Sequence, residues 1–257
     1  MSFEDERFID LTRPGFTRGQ LAAAEQHMIR REFASTVDAV LGKINDGKEA
    51  TVYLCRTRPQ CEFGELVAAK VYRARKFRAF ANDATYTNPG RLRDRRLAKM
   101  LMKRKRRGRE VAHHRWIDHE WRVLETLHEA GASVPKPHSS CDFGFLMEFI
   151  GAGETPAPKL AEVRLAPDET ADAFAQIVRD VEILLDCGLV HGDLSAFNVL
   201  YLNGRTRLID LPQAMAIDDA PDPWSLLLRD LTNVCDHFRR RGHDVDALDL
   251  ALRLWPR

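Results

Sequence analysis

Two carboxylates and one amide of this chain have the spacing that a phosphoryl-transfer site needs. The stretch His191-Gly-Asp193-Leu-Ser195-Ala-Phe-Asn198 is followed, past a predicted hairpin, by Asp210. Phosphoryl transfer requires little covalent chemistry from a protein, so its site mainly needs an acidic group that orients the nucleophile and oxygen ligands for Mg²⁺. Asp193 is the candidate for the acidic group, and Asn198 and Asp210 are the candidate metal ligands.

The residues around this stretch predict the elements that hold it. An apolar run that begins at Leu184 leads into the loop, the strand Val199–Leu202 leads out, and Asn203-Gly204 turns the chain into a second strand over 206–209. Taken singly, the three polar residues could be a helix cap, a turn residue and a residue at a strand end. Those separate roles do not account for the ordered spacing of Asp193, Asn198 and Asp210, so we interpret the three residues as one site.

Lys70 is a second candidate, because it lies in an apolar strand predicted over 66–72, where an unpaired ammonium group would be costly. Its best acidic partner is Glu120, in a helix predicted over 110–130 with Trp116 one turn earlier and Gly131 at its end. Together the two side chains would hold the α- and β-phosphates of ATP, as in protein kinases. In the alternative, Lys70 extends to solvent from an edge strand and Glu120 is a solvated helix residue.

A glycine-containing loop over 42–49 matches a Walker A motif only in part. Gly42 and Gly47-Lys48 have the right spacing, but the next residue is Glu49 where the motif requires Ser or Thr for the magnesium. The residues that follow alternate like a strand, whereas a Walker loop opens a helix. We therefore predict two strands within 38–56 around this loop, whose backbone N–H groups can cover phosphates. An ordinary hairpin turn is the alternative.

Three further helices are predicted from caps and apolar periodicity. The first begins after Thr17 and runs to about Arg31, and the second begins at Asp168 and has a core face that includes Ile177 and Val181. A last amphipathic helix runs from Trp224 to Arg240.

Six motifs follow one another along the chain. They are Gly47-Lys48-Glu49-Ala50-Thr-Val52-Tyr53, Val67-Ala-Ala-Lys70-Val-Tyr72, Trp116-x-x-x-Glu120, Met147-Glu148-Phe149-Ile150-Gly151, His191-x-Asp193-Leu-Ser195-x-x-Asn198 and Ile209-Asp210-x-Pro212-Gln213. Through these motifs and their order, the chain resembles the RIO family of atypical protein kinases. Some motifs are similar to the first RIO subfamily and others to the second. We interpret the chain as a compact, divergent RIO protein and expect it to be prokaryotic.

The resemblance implies an α+β, bilobal protein-kinase-like fold. Its small N-lobe would be an antiparallel sheet with a helix, and its C-lobe a reduced helical one. We expect a helical N-terminal extension over 1–35 and a RIO-like kinase domain over 36–257, with the N-lobe at about 36–148 and the C-lobe at about 149–257. A basic insertion over 88–110 would interrupt the N-lobe.

The resemblance also implies ATP and Mg²⁺ as ligands and assigns roles to individual residues. Met147, Glu148 and Ile150 would lie along the adenine, with backbone groups as the main contacts, and Lys48 and Glu49 would lie in the loop that covers the phosphates. Ser195 stands where many protein kinases have a Lys that neutralises the γ-phosphate, which favours slow or specialised chemistry. RIO proteins are regarded as ATPase-like switches as well as kinases, so the resemblance makes Asp210 a possible phosphoacceptor.

Composition favours a soluble enzyme in a reducing compartment. A chain of 257 residues with 44% hydrophobic residues can bury a substantial core, and the motifs indicate one bilobal domain. The five cysteines form no CxxC pair and no zinc spacing. No apolar run approaches the roughly eighteen residues of a membrane span, and the N-terminus is acidic. We therefore expect a cytoplasmic protein.

The formal charge of +1 hides a dense basic segment. Residues 91–109, from Arg91 to Arg109, contain eleven Lys or Arg and one acid, Asp94. Such a density favours a polyanion, and the resemblance points to ribosomal RNA or a ribosomal particle. A solvated charge run is the alternative, and a membrane surface is disfavoured because large apolar anchors are lacking. A metal site at His113, His114 and His119 is disfavoured because no Cys accompanies them.

Three functions are compatible with these residues. The leading one is a RIO-type ATP-dependent Ser/Thr kinase or ATPase that engages RNA or a ribosomal particle. The second is a small-molecule phosphotransferase of the aminoglycoside or choline kinase kind, against which Pro212-Gln213 and the short segment after Asp210 argue. The third is a non-catalytic RNA-binding assembly factor, which the complete set of catalytic positions disfavours.

Overall fold

The protein is described by a computed structural model over residues 18–47, 49–72 and 106–255. The chain forms two compact units, of which the first comprises 1–117 with 138–149 and the second 118–137 with 150–257. Strands and helices both contribute, so the predicted α+β class is confirmed. The predicted lobe boundaries stay predictions, and Lys48 and residues 88–105 of the basic insertion lie outside the described residues.

The first unit is built on a five-stranded sheet in the order β1-β2-β3-β5-β4. Strand β3 is central and paired on both edges, and six of its seven residues are buried, with Val67, Ala69 and Val71 in the apolar cluster of this unit. The helix α1 packs on the sheet through Ile29, which joins Phe33, just after the helix, in the same apolar cluster as Tyr53 and Leu146. The elements are α1 (Arg18–Glu32), β1 (Val37–Asp46), β2 (Ala50–Thr57), β3 (Leu66–Tyr72), β4 (Pro137–Cys141) and β5 (Gly144–Glu148).

The connection between β1 and β2 is shorter than the sequence predicts. Gly42, Lys43 and Asn45 belong to β1, where they pair with residues of β2 across register shifts. Only residues 47–49 connect the two strands, and the Gly47 N–H closes the turn on the Ala50 carbonyl oxygen at 3.0 Å. The prediction of a loop from Gly42 was wrong because cross-strand pairing overrides the turn propensity of Gly and Asn.

The second unit is mainly helical and contains three short pairs of antiparallel strands. Its elements are the C-terminal part of α2 (Arg106–Glu129), β6 (Gly151–Ala152), β7 (Thr155–Pro156), α3 (Pro167–Asp186), β8 (Leu189–Val190), β9 (Val199–Leu202), β10 (Arg205–Leu208), β11 (Met215–Ala216), α4 (Pro223–Arg239) and α5 (Ala247–Leu254). Strand β9 pairs with β10, β8 with β11, and β6 with β7, all antiparallel. These short pairs leave long turns between them, and the candidate site residues lie on those turns.

The predicted helices are confirmed, with one correction. Helix α3 buries Ile177 and Val181 as expected, and α2 ends before Gly131. Helix α4 was predicted as the last helix, but α5 follows it, capped by the Asp246 carboxylate that accepts from the Asp249 N–H at 2.9 Å. With eight residues, α5 is too short for a strong periodic signal. Among the described residues, no helix has the length and apolar character needed to cross a membrane.

Candidate functional site

The candidate catalytic loop connects β8 to β9 and is anchored by buried residues on both sides of Asp193. His191, Gly192 and Leu194 are buried, whereas Asp193 is exposed. Gly192 has a φ of +77°, and a Cβ there would lie 2.7 Å from the Gln213 carbonyl oxygen, so only glycine fits. The backbone therefore turns sharply at a fixed place and presents the Asp193 carboxylate to solvent.

Helix α4 holds this loop through Asp230. The Asp230 side chain is 2% exposed, and its carboxylate oxygens accept from the Gly192 N–H at 2.7 Å and the Leu194 N–H at 3.0 Å. Burial raises the pKa of Asp230 to about 7, although both N–H groups act in the opposite direction. The neighbouring Arg229 guanidinium donates to the Gly192 carbonyl oxygen. Two adjacent residues of α4 thus bind the backbone on both sides of Asp193.

Neither of these two α4 residues was singled out from the sequence. The available signal was a carboxylate within an apolar stripe, since Asp230 follows Leu227 and precedes Leu231 and Val234 on the buried face of α4. A buried carboxylate requires hydrogen-bond donors. That requirement identifies Asp230 as a residue with a partner, but it does not identify the partner.

Asn198 connects the catalytic loop to the residues before Asp210. Its Nδ2 donates to the Asp193 carbonyl oxygen at 2.7 Å and lies 3.4 Å from Asp193 Oδ2. The backbone carbonyl oxygen of Asn198 accepts from the Ile209 N–H at 2.9 Å. The structure therefore brings together the three polar residues that the sequence grouped, with Asn198 in the middle.

Asp210 adopts an unusual backbone conformation directly after this contact. Its φ of +65° lies in the left-handed region that non-glycine residues seldom adopt, and such strain is common where a side chain must be aimed. Although Asp193 is exposed as a residue, partial desolvation of its carboxylate raises its pKa, and the Asp210 charge raises it further. The Asn198 hydrogen bond lowers this pKa. Burial also lowers the pKa of His191 to about 4 against the effect of Asp210, so its ring is neutral.

The donor set at this place fits Mg²⁺. The Asp210 charge raises the pKa of Asp193, the same negative charge attracts a cation, and Asn198 adds a neutral amide oxygen. Among the described residues there is no group of three or more His, Cys, Asp and Glu that could hold a metal by themselves. Mg²⁺ does not require such a cage, because it binds through one or two carboxylates together with water and substrate phosphates.

Helix α2 holds the residues that follow Asp210. Glu120 is buried, and its Oε1 accepts from the Leu211 N–H at 3.1 Å. The neighbouring His119 has its Nε2 2.5 Å from the Ala214 carbonyl oxygen, and burial lowers its pKa. Glu120 thus has a contact that the sequence did not predict, while its predicted pairing with Lys70 stays a prediction. The contact of His119 with the Ala214 carbonyl oxygen gives that histidine a structural role.

In the first unit, Lys70 is held by strand pairing. It lies between Val52 and Phe145 in the sheet and is 7% exposed. Its Nζ lies 5.7 Å from the centroid of the Tyr72 ring, and that ring meets Trp116 edge to face at 5.1 Å between centroids. The alternative of a lysine on an edge strand is wrong, because β3 is central.

The remaining predicted residues are half-buried. In the first unit, Glu49 begins just before β2, and Met147 and Glu148 end β5. In the second unit, the Ile150 carbonyl oxygen accepts from the Ala157 N–H at 2.9 Å, and the Ser195 carbonyl oxygen accepts from the Asn198 N–H at 2.9 Å. These positions leave their predicted roles towards a nucleotide as predictions.

The chain is similar to known proteins over most of its length. A family model described as the RIO domain matches residues 51–250. The chain is 33% identical over 218 residues to the RIO-type serine/threonine-protein kinase Rio1 of Haloferax volcanii, covering 82% of this chain and 67% of the relative. The Methanocaldococcus jannaschii protein of the same name is 31% identical, covering 82% and 66%. The Caenorhabditis elegans serine/threonine-protein kinase RIO1 is 37% identical, covering 51% and 26%.

The chain therefore spans about two thirds of the archaeal relatives and about a quarter of the nematode protein. The family model covers most of the chain and includes five of the six motifs in full, together with the end of the first. The ordered motifs, the anchored loop around Asp193 and these matches lead to one conclusion: the chain belongs to the RIO family.

Proposed function

We propose that the protein is an ATP- and Mg²⁺-dependent serine/threonine kinase of the RIO type. The observation that carries this proposal is the exposed Asp193 carboxylate on a loop whose backbone is bound by Asp230, with Asn198 in contact and Asp210 nearby. The names of the three relatives above, all serine/threonine-protein kinases, support the same reaction. A small-molecule phosphotransferase has no comparable support.

In this proposal the candidate site residues of the second unit orient the acceptor hydroxyl and hold the metal ion. Asp193 accepts a hydrogen bond from the acceptor hydroxyl, orients it and receives its proton as the bond to phosphorus forms. Asn198 and Asp210 would hold Mg²⁺, which supplies positive charge to the phosphate oxygens. Ser195 brings no cation to the γ-phosphate, so we expect turnover that is slow for a kinase, with hydrolysis of ATP by water as a competing outcome.

In the first unit, the Lys70 ammonium group would bind the α- and β-phosphates. Its burial in a central strand supports this role, because a desolvated cation gains most from an anionic ligand. Glu49 and Lys48 would lie in the loop that covers the phosphates. Backbone groups at Met147 and Ile150 would bind the adenine, and Glu148 has the weakest claim to a role for its side chain.

The test separates the nucleophile from the metal. Asp193→Asn should reduce transfer of labelled phosphate from ATP by about a thousandfold while ATP binding changes little, because the lost group does not contact the nucleotide. Asp210→Ala should weaken Mg²⁺-ATP binding itself and remove any hydroxylamine-labile phosphoenzyme at that residue. Asp244→Asn, at an exposed position, is the matched control. Undiminished transfer by Asp193→Asn would contradict the assignment.

We further propose that residues 91–109 bind RNA, as in a protein that works on ribosomal particles, in the cytoplasm. The charge density of the segment supports the first part, and five unpaired cysteines support a reducing compartment. Replacing Lys103, Arg104, Lys105, Arg106 and Arg107 with Gln should weaken RNA binding. The salt slope should fall by roughly 0.7 to 0.9 for each RNA phosphate that the protein no longer neutralises. An unchanged slope would mean a solvated segment.

A further inference from the structure

Phe197 is an exposed aromatic residue inside the candidate catalytic loop. Its side chain is 62% exposed, whereas Ala196 before it and Val199 after Asn198 are buried. Two other large apolar side chains are exposed among the described residues, Leu248 and Leu252, and both lie on α5. Phe197 is therefore the one exposed large apolar side chain of this group that adjoins the site.

The fold of the loop does not account for this ring. The turn Ala196–Asn198 is closed by the hydrogen bond from the Asn198 N–H to the Ser195 carbonyl oxygen, and Asn198 is held further by Asp193 and Ile209. These contacts involve backbone atoms and the Asn198 amide, so a polar residue at 197 would form the same turn. An aromatic ring left in water forgoes burial, and because this ring lies on the loop that carries Asp193, it is accessible to a bound substrate.

The place of the ring connects it with the acceptor side of the site. Phe197 directly precedes Asn198, whose amide nitrogen contacts Asp193 at both the carbonyl oxygen and Oδ2. Asp193 is the group that we propose orients the acceptor hydroxyl. Neighbouring residues of an extended peptide are roughly 3.5 Å apart. A side chain one or two residues from the acceptor Ser or Thr would thus come within reach of the ring.

The charges of the loop favour a peptide over a nucleic acid. Residues 191–198 contain no Lys or Arg, and the loop presents the Asp193 carboxylate, with Asp210 nearby. The Arg229 guanidinium is engaged at the Gly192 carbonyl oxygen. A base stacked on Phe197 would bring its phosphates towards these carboxylates, at a Coulomb cost. An uncharged apolar side chain brings no such repulsion.

We propose that Phe197 is a specificity-determining residue that binds an apolar side chain next to the acceptor Ser or Thr of a protein substrate. This inference rests on the proposed kinase function and adds a substrate preference to it. The ring provides an exposed apolar surface on the loop that carries Asp193, so peptides that bury a Leu or Ile against it gain transition-state binding that a polar side chain does not provide.

The experiment compares peptides on the same enzyme. A set of synthetic peptides carries one Ser and either Leu or Asn at one flanking position at a time, and kcat/KM for phosphate transfer is measured for each. For the full chain we expect a Leu-over-Asn preference of about tenfold at one position or more. Phe197→Ala should reduce that ratio to about twofold or less, and Phe197→Leu should retain most of it. Because the ratio is taken on one enzyme, it is independent of the fraction folded.

The matched control is Leu252→Ala, which removes a side chain that is also 62% exposed but lies on α5. Its peptide ratio should equal that of the unsubstituted chain. An unchanged ratio in Phe197→Ala would overturn the inference, as would a loss of affinity of that variant for a single-stranded RNA probe without a change in ratio.

Failure of the inference can be told apart from failure of the proposed function. If the unsubstituted chain hydrolyses ATP in an Asp193-dependent manner but phosphorylates no peptide of the set, the inference is overturned and phosphoryl transfer stands. If the chain neither hydrolyses ATP nor transfers phosphate, both are overturned.

Discussion

The two units hold their functional side chains in different ways. In the first unit, Lys70 lies on a strand that is paired on both edges, so its position results from a regular ladder of backbone hydrogen bonds. In the second unit, Asp193 and Asp210 lie on turns whose backbone is bound by side chains, namely by Asp230 and Arg229 around Asp193 and by Glu120 after Asp210. The difference follows from the backbone, because a turn leaves N–H groups that a strand would satisfy within the sheet.

This difference has a consequence for mutation. A position held by a ladder should tolerate the loss of any one polar side chain and should be sensitive mainly to steric changes at the backbone. A position held by one carboxylate should depend on that carboxylate. The candidate catalytic loop is therefore expected to be the more fragile of the two.

The largest effect is expected for Asp230→Asn. The amide has one oxygen for two buried N–H groups and turns a donor towards one of them, which should cost about 3 kcal/mol and reduce phosphate transfer strongly. Chemical denaturation and a transfer assay would measure both. Asp222→Asn on the same helix is the control, because an exposed helix cap works nearly as well with Asn. Equal stability of the two variants would contradict the fragile-loop interpretation.

The corresponding weak point of the first unit should be steric. Gly144 pairs with Val71 in the sheet, and a Cβ on it would lie 2.0 Å from the Lys70 carbonyl oxygen. Gly144→Ala should therefore lower the free energy of unfolding by about 2 kcal/mol. Gly42→Ala, where nothing lies within 4 Å of the added Cβ, should remain close to the unsubstituted chain. If both variants were equally stable, close backbone approach would not be what holds Lys70.

A pair of tyrosines compares a buried polar contact in the first unit with a partly exposed one in the second. Tyr53 donates to Glu25 Oε2 at 2.5 Å, linking β2 to α1, whereas the hydroxyl of Tyr201 lies 3.5 Å from Glu169 Oε1. Tyr53→Phe leaves a buried carboxylate without this donor and should cost about 1.5 kcal/mol. Tyr201→Phe should cost less than about 0.5 kcal/mol. Thermal unfolding of both variants measures the difference, and the reverse order would contradict it.

The smallest effect concerns acid sensitivity. Burial, with Arg241 and Arg240, lowers the pKa of His237 to about 4, so the unfolded chain binds a proton there before the folded one does. The stability from the neutral ring is present above about pH 6.5 and is lost as the pH falls towards about 4. His237→Gln should therefore lose about 1 kcal/mol less than the unsubstituted chain between about pH 7 and pH 5. Parallel curves of stability against pH would show that His237 contributes nothing.

The comparison of variants is needed because other groups act in the opposite sense. Burial raises the pKa values of Asp180 and of Asp230, the latter to about 7, so these carboxyl groups favour the folded state as the pH falls. Only the difference between His237→Gln and the unsubstituted chain isolates the histidine.

Several features could be predicted because their signal is local. The spacing of Asp193, Asn198 and Asp210 grouped three residues that the structure brings together, and the apolar strand around Lys70 indicated a buried cation. The catalytic turn and the flanking strands β9 and β10 followed from apolar runs and from Asn203-Gly204. In each case the residues that carry the signal are near one another along the chain.

Other features could not be predicted because they depend on distant parts of the chain. Asp230 binds backbone groups 38 and 36 residues away, and Glu120 binds a group 91 residues away. The extent of β1 was mispredicted because its Gly and Asn residues favour turns, and only the pairing with β2 keeps them in a strand.

The sequence by itself determined which chemical groups the site contains, their order along the chain and the family to which they belong. The tertiary structure alone decided which side chains satisfy the N–H groups of the catalytic turns. The physical reason is that a buried N–H group must find an acceptor, while the pattern of residues does not say which of several carboxylates folding brings within about 3 Å. In the folded chain, Asp230 accepts from the loop around Asp193, and Glu120 accepts from the segment after Asp210.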